Sequence, residues 1–174
     1  MSKQVLILCG SDSDLPVIKP ALEYLMQVCV EYEIHIASAH RTADYTASLA
    51  KGAKDNGFQV IICAAGGAAH LAGCVAAQTT LPVIGIPIKN DTMSGLDALY
   101  ATVQMPPGIP VATVAINGAK NAAILATQII ALNDDEVYAR LYCTKDLMKR
   151  DNLHKDARLQ ELGVDAYLEE KKKN

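Results

Sequence analysis

Residues 4–41, QVLILCGSDSDLPVIKPALEYLMQVCVEYEIHIASAHR, decide the fold. They open with a continuous apolar run over 4–9, of the kind buried on both faces of a parallel sheet. A polar turn, Gly10-Ser11-Asp12-Ser13-Asp14, follows at once. Over 15–30 the apolar residues Val17, Ile18, Ala21, Leu22, Leu25 and Met26 then recur at helical spacing. Residues 32–37 alternate and are rich in β-formers, and they end in a second polar cluster, Ser38-Ala39-His40-Arg41-Thr42. Strand, helix and strand in this order make a βαβ unit with two polar turns at the carboxyl ends of its strands.

The same alternation continues outward. A helix is expected over 43–54, stopped by Asn56-Gly57, and strands over 59–64, 81–88 and 110–116. Further helices are expected over 68–78, over 95–104 (closed by Met105-Pro106-Pro107-Gly108) and over 119–132. Five βα units in series predict an α/β fold: a doubly wound three-layer sandwich with a five-stranded parallel sheet of flavodoxin-like order 2-1-3-4-5. Residues 1–133 read as one catalytic domain. Residues 134–174 read as a C-terminal helical extension of mixed charge, capped by Asp134 or Asp135 and interrupted at Gly163. That extension is expected to pack on the domain or on a neighbouring subunit.

Composition narrows the class. A chain of 174 residues can bury a proper core, and with 51% apolar residues, no Trp and one Phe that core is built from small aliphatics. Such side chains suit helices laid closely on a sheet, and the apolar share leaves surface for contacts between copies. The net charge is −3 and the only basic run is Lys171-Lys172-Lys173, read as a solvated helix end. A nucleic-acid partner is therefore not expected. Cys9, Cys29, Cys63, Cys74 and Cys143 form no CxxC pair and no metal-ligand spacing. With no leader-like or spanning apolar stretch, they read as thiols of a cytoplasmic protein with no membrane partner.

In a parallel sheet the carboxyl ends of neighbouring strands share one crevice, where ligands bind. Ser11 and Ser13 offer hydroxyl donors beside a helix start, which favours an anion such as phosphate. A carboxylate there would repel phosphate, so Asp14 suits ribose hydroxyls; the same Asp12, Ser13 or Asp14 would equally serve as a plain helix cap. Arg41 can fork onto phosphate or carboxylate, with Ser38 beside it. His40 is the side chain whose ordinary pKa lies near neutrality, as a proton shuttle needs. After the third strand, Gly66-Gly67-Ala68-Ala69-His70-Leu71 lets backbone approach a flat ligand, or lets a helix pack tightly on the sheet. His70 either lines the pocket or starts the helix.

Other uses of such a sheet lack their residues. Ala64-Ala65 stand where a phosphoacceptor domain needs Asp, no aromatic pair awaits a flavin, and GxxxxGK[ST] and GxGxxG are absent. No His/Cys/Asp cluster suggests a metal site.

Five blocks in order resemble the class I PurE family, the N5-carboxyaminoimidazole ribonucleotide mutases of purine (IMP) biosynthesis. These are Gly10-Ser11-Asp12-Ser13-Asp14, Ser38-Ala39-His40-Arg41-Thr42, Ala65-Gly66-Gly67-Ala68-Ala69-His70-Leu71, Ser94-Gly95-Leu96-Asp97-Ala98-Leu99 and Val103-Gln104-Met105-Pro106. The resemblance spans residues 4–132. It implies a homo-octamer with sites near subunit contacts, no cofactor and no metal. It implies a ribonucleotide substrate whose carboxyl group moves from the exocyclic nitrogen to ring C4. Ser11, Asp14 and Arg41 would contact the phosphoribosyl part, with Ser13 and Ser38 nearby. His40 would be the catalytic acid–base, and Gly66, Gly67, Ala68, His70 and Leu71 would enclose the base and the moving carboxyl. The chain departs from the family in carrying Leu15 for Trp, Ala43 and Ala72 for Pro, and a shorter 116–122 stretch.

Two rival readings are kept. A sister carboxylase that takes aminoimidazole ribonucleotide and free CO2 resembles Ser-Ala-His-Lys with a Gly-Arg-Ser-Asn loop, and Arg41 and the Gly66–His70 stretch favour the mutase instead. A nucleotide-sensing module would use the same sheet without chemistry; His40 beside Arg41 argues against it.

Overall fold

The computed structural model describes residues 3–173. The chain forms two compact units, one reaching to Tyr138 and the other starting at Ala139. In the first, strands and helices alternate: β1 (Val5–Cys9), α1 (Leu15–Gln27), β2 (Tyr32–Ile36), α2 (Ala43–Gly52), β3 (Val60–Gly66), α3 (Leu71–Ala76), β4 (Val83–Ile88), α4 (Leu96–Val103), β5 (Ala112–Thr113) and α5 (Ala119–Ile130). All strands pair in parallel, in the expected order β2-β1-β3-β4-β5.

The three layers follow from strand periodicity. Val5, Ile7 and Cys9 of β1 join Val60, Ile62 and Ala64 of β3 on one face, under Ile18, Ala21 and Leu25 of α1 and the alanine-rich side of α5. The residues between them, Leu6, Leu8, Ile61 and Cys63, face the other way onto Ala50 of α2 and Leu71, Ala72 and Val75 of α3. Each such Leu or Ile, fully buried, contributes about 1.5–3 kcal/mol. Small residues set the spacing: a Cβ on Gly85 of β4 would lie 2.3 Å from Thr102 Cγ2 of α4.

Most elements are shorter than the sequence pattern by a residue or two, and three show the reason in the backbone. α1 stops at Gln27, not 30, because Cys29 takes a left-handed φ of 54° and the Val30 N–H turns back to Leu25 O at 2.9 Å. α3 has six residues rather than 68–78: Gly67 adopts φ +62°, and residues up to His70 form a turn at the sheet's carboxyl edge. β5 pairs over only two residues, because it is an edge strand entered through Pro110, which lacks an N–H, and left through a turn in which Asn117 has φ 57°.

A last helical segment, α6, spans Asp135–Lys173. In the first unit its start is capped by Asp134, whose Oδ1 accepts the Val137 N–H at 3.0 Å, and Val137 is buried. In the second unit it breaks at Gly163 (φ 73°, ψ 168°), a conformation open essentially to glycine. Arg158 bonds Glu161 at 2.7 Å and also Glu170 at 2.7 Å. Twelve residues of straight helix would span about 18 Å, so the second pair requires the chain to turn back at Gly163. Among the described residues no helix is long and apolar enough to cross a membrane.

Candidate active site

The carboxyl ends of β2, β1, β3 and β4 open into one cleft of about 480 Å³. Its floor is the turn after β1. Gly10 extends the ladder, its N–H donating to Ala64 O at 2.9 Å, and Ser11 then caps a single 3-10 turn over Asp12–Asp14. Asp14 Oδ2 accepts the Ser11 N–H at 2.9 Å while the Ser11 hydroxyl receives the Ser13 N–H, a reciprocal capping box. The capping role and the cleft-lining role thus fall on the same residues. Asp14 is buried, and burial raises its carboxyl pKa, offset in part by N–H donors and by Arg41.

The turn after β2 is closed by Thr42, whose N–H and hydroxyl both donate to Ser38 O. Arg41 leans back across β1: its Nη2 donates to Gly10 O at 3.0 Å and its backbone N–H to Ser38 Oγ at 3.2 Å. A guanidinium has five donors, so part of the fork is left for a ligand. His40, which is exposed, places Nε2 2.8 Å from Nδ1 of His70, with ring centroids 4.9 Å apart and planes at 81°.

The turn after β3 supplies Gly66, whose Cβ would lie 3.2 Å from Ile88 O were it any other residue. Ala68 and Leu71 complete that wall. The fourth side comes from the end of β4. The Lys89 N–H donates to Asn117 Oδ1 at 2.9 Å, and Asn90 Nδ2 donates to Asp97 Oδ2 at 2.7 Å. The Asn90 amide holds the Asp97 carboxyl below its usual pKa.

Of the residues singled out from sequence, Ser11, Ser13, Asp14, Ser38, His40, Arg41, Gly66, Ala68 and Leu71 line the cleft. Gly67 and His70 are not on its lining, although the His70 ring contacts His40, which is. The sequence reading missed the rim formed by Ile88, Lys89 and Asn90. The signal for it was positional: these residues stand where the fourth strand ends, beside the third, in the same crevice.

The family model described as AIR carboxylase matches residues 4–151. The N5-carboxyaminoimidazole ribonucleotide mutase of Thermotoga maritima is 53% identical over 165 residues, 95% of this chain and 96% of that protein. The chloroplastic phosphoribosylaminoimidazole carboxylase of Vigna aconitifolia is 45% identical over 159 residues, 91% of this chain and 28% of that longer protein. The crystal structure of Treponema denticola PurE aligns with a TM-score of 0.82 at 32% identity, over 90% of this chain and 98% of that one. The family match continues to residue 151, so the likeness does not end at 132 but takes in the first part of α6.

Proposed function

Because this chain belongs to the AIR carboxylase family, we propose that it is an isomerase of purine biosynthesis, an N5-carboxyaminoimidazole ribonucleotide mutase. It moves the carboxyl group from the exocyclic nitrogen of the substrate to ring C4, giving 4-carboxy-5-aminoimidazole ribonucleotide. The observation that carries the reading is the His40–His70 pair beside a cleft furnished with Ser11, Ser13, Asp14 and Arg41.

The reaction breaks the N–CO2 bond, forms a C–CO2 bond, returns a proton to nitrogen and removes one from C4. No net proton is consumed, so one group that takes and gives suffices. When the His40 Nε2–H donates to His70 Nδ1, the neutral His40 ring has its lone pair on Nδ1, ready to accept a proton. When His70 Nδ1–H is the donor, His40 Nδ1 carries the proton instead. The pair therefore toggles His40 between base and acid, and a positioned group of this kind is worth about 10²–10⁴-fold. Arg41, Ser11 and Ser13 hold the phosphate, Asp14 accepts from the ribose, and Ser38 supports Arg41. Gly66 and Ala68 bring backbone against the base, Leu71 walls it, and the freed CO2 stays against C4 within that enclosure.

The protein acts as a cytoplasmic homo-octamer. Self-association is supported by Leu96, Tyr100 and Val103, all exposed and spaced along one side of α4, with Met93 exposed in the turn before it. Met93 stands three residues beyond Asn90 of the cleft lining, which supports contact between copies near the mouth of the cleft. Tyr142, Leu147, Leu153 and Leu168 are likewise exposed, which supports packing of the helical extension on another copy.

The test offers two substrates in parallel and follows the C4-carboxylated product. Rapid product from the N-carboxy nucleotide alone supports the mutase; rapid product from aminoimidazole ribonucleotide with bicarbonate makes the protein a carboxylase. Binding without turnover of either leaves a nucleotide-sensing module. Light scattering on the eluting protein reports the oligomer.

A further inference from the structure

We propose that Lys89 reads the moving carboxyl group, so that the cleft distinguishes the two carboxylated nucleotides from aminoimidazole ribonucleotide. The inference rests on the mutase reading and adds a specificity-determining residue to it.

The first support is charge. Substrate and product each carry two anionic groups, a phosphate at one end and a carboxylate on the heterocycle at the other. Among the described residues, three with charged side chains line the cleft: residues Asp14, Arg41 and Lys89. Arg41 is strapped to the β1 side through Gly10 O at 3.0 Å. Lys89 follows β4, which is separated from β1 by β3. Two strand spacings put the two cations' stations roughly 10 Å apart, too far for one to serve both anions.

The second support is position. Ile88 pairs with Gly66 in the sheet, so Lys89 leaves β4 at the level where β3 enters its Gly66-Gly67-Ala68 turn. That turn encloses the base and the migrating group. The main chain at Lys89 is braced on two sides. Asn117 receives the Lys89 N–H at 2.9 Å and donates its own N–H to Pro87 O at 2.9 Å. Gly95, at φ +90°, packs so closely that a Cβ there would stand 3.1 Å from Lys89 Cα. The neighbouring Asn90 amide is occupied with its own loop, bonding Asp97 and the N–H groups of Thr92 and Met93. This leaves Lys89 as the group at that end with charge to offer.

The carboxyl is anionic before and after the transfer and neutral as CO2 between. A cation beside it favours both end states over the intermediate, so it serves binding and selection more than the chemical step.

Calorimetry with the C4-carboxylated product and with aminoimidazole ribonucleotide, on the wild type, Lys89→Met and Lys89→Arg at one ionic strength, tests this. Lys89→Met is expected to weaken the carboxylated ligand about tenfold or more and to leave the decarboxylated one within about twofold. Lys89→Arg restores most of the loss, and KM for the N-carboxy substrate rises in Lys89→Met with kcat nearly unchanged. Equal weakening of both ligands, or of neither, overturns the assignment. If the wild type binds neither nucleotide, the mutase reading is what fails. Lys89 is exposed, so its replacement leaves the core intact.

Discussion

Replacing the two histidines singly and together separates proton transfer from binding and from stability. His40 and His70 are both exposed, and their rings touch through one 2.8 Å contact. A surface contact of this kind changes stability by roughly 0.5 kcal/mol, so His40→Asn and His70→Asn should each melt within about 2 °C of the wild type. Loss of the acid–base group, by contrast, costs about 10²–10⁴-fold in kcat, or roughly 3–5 kcal/mol of barrier. The second effect exceeds the first several-fold, so a turnover defect in a normally folded variant is a defect of chemistry. His70 acts through His40, and coupled contacts of this kind exchange about 0.5–3 kcal/mol, which sets the His70→Asn loss near tenfold. The double variant should then be no slower than His40→Asn alone. Single-turnover conversion of the N-carboxy nucleotide gives the rates, and calorimetry with the carboxylated product shows that His40→Asn still binds. Near-normal turnover of His40→Asn, or losses that multiply in the double variant, would refute the coupled pair.

Arg41→Ala removes both a ligand donor and the strap onto Gly10 O, and should weaken nucleotide binding by about 10–100-fold in calorimetry; an unchanged Kd would rule out its role. Gly85→Ala places a Cβ 2.3 Å from Thr102 Cγ2 and 3.0 Å from Val111 Cγ1, a cost of about 1–3 kcal/mol that a melting curve should register as a fall of several degrees. The Cys9 thiol is pushed up to about 12, chiefly by burial and then by Asp14, so at pH 8 only ~10⁻⁴ of it is thiolate. Burial raises Cys63 likewise, and neither should react with a thiol reagent until the chain is unfolded.

The sheet was legible because its central strands are continuous apolar runs and its helices carry small apolar residues at regular spacing. Strand order followed from the βα alternation. What pattern could not show was where an element stops. Over 110–116 Pro110 marks a weak start, but no residue type reveals that the turn at Asn117 leaves an edge strand only the Ala112–Thr113 pairing. Over 68–78 the alanines read as helix, whereas the left-handed φ of Gly67 makes the first part a turn. The first two site loops were legible from residue type, since Ser, Asp, His and Arg after a strand are chemically marked. Lys89 and Asn90 were not, because in Lys89-Asn90-Asp91-Thr92 they read as ordinary turn residues. The His40–His70 contact was hidden for a geometric reason. β2 and β3 lie on opposite sides of β1, so their loops meet only by reaching over its end.

Asp14 shows how one loop could carry a carboxylate and still receive the phosphate of the proposed substrate. Its side chain is 5% exposed, and Oδ2 is bonded to the Ser11 N–H, while the Ser13 hydroxyl beside it is exposed. The negative charge is drawn behind the hydroxyl groups that would meet the anion on the proposed reading. Burial is the largest influence on this carboxyl and raises its pKa; the N–H donors of Ser11 and Gly10 and the charge of Arg41 pull the other way without prevailing. A carboxyl raised in the folded state contributes stability that is present in full below its unfolded pKa and is lost as pH rises through the folded value. Ionising Asp14 in the folded domain therefore comes at some expense to the fold. An asparagine would accept the Ser11 N–H without that penalty, so capping alone does not account for the carboxylate. Hydrogen bonds to a charged acceptor are roughly twice as strong as neutral ones, and in the proposed complex ribose hydroxyls would supply the donors that offset the penalty. On the proposed reading, the residue whose burial weakens the fold is thus the one that accepts from the ribose.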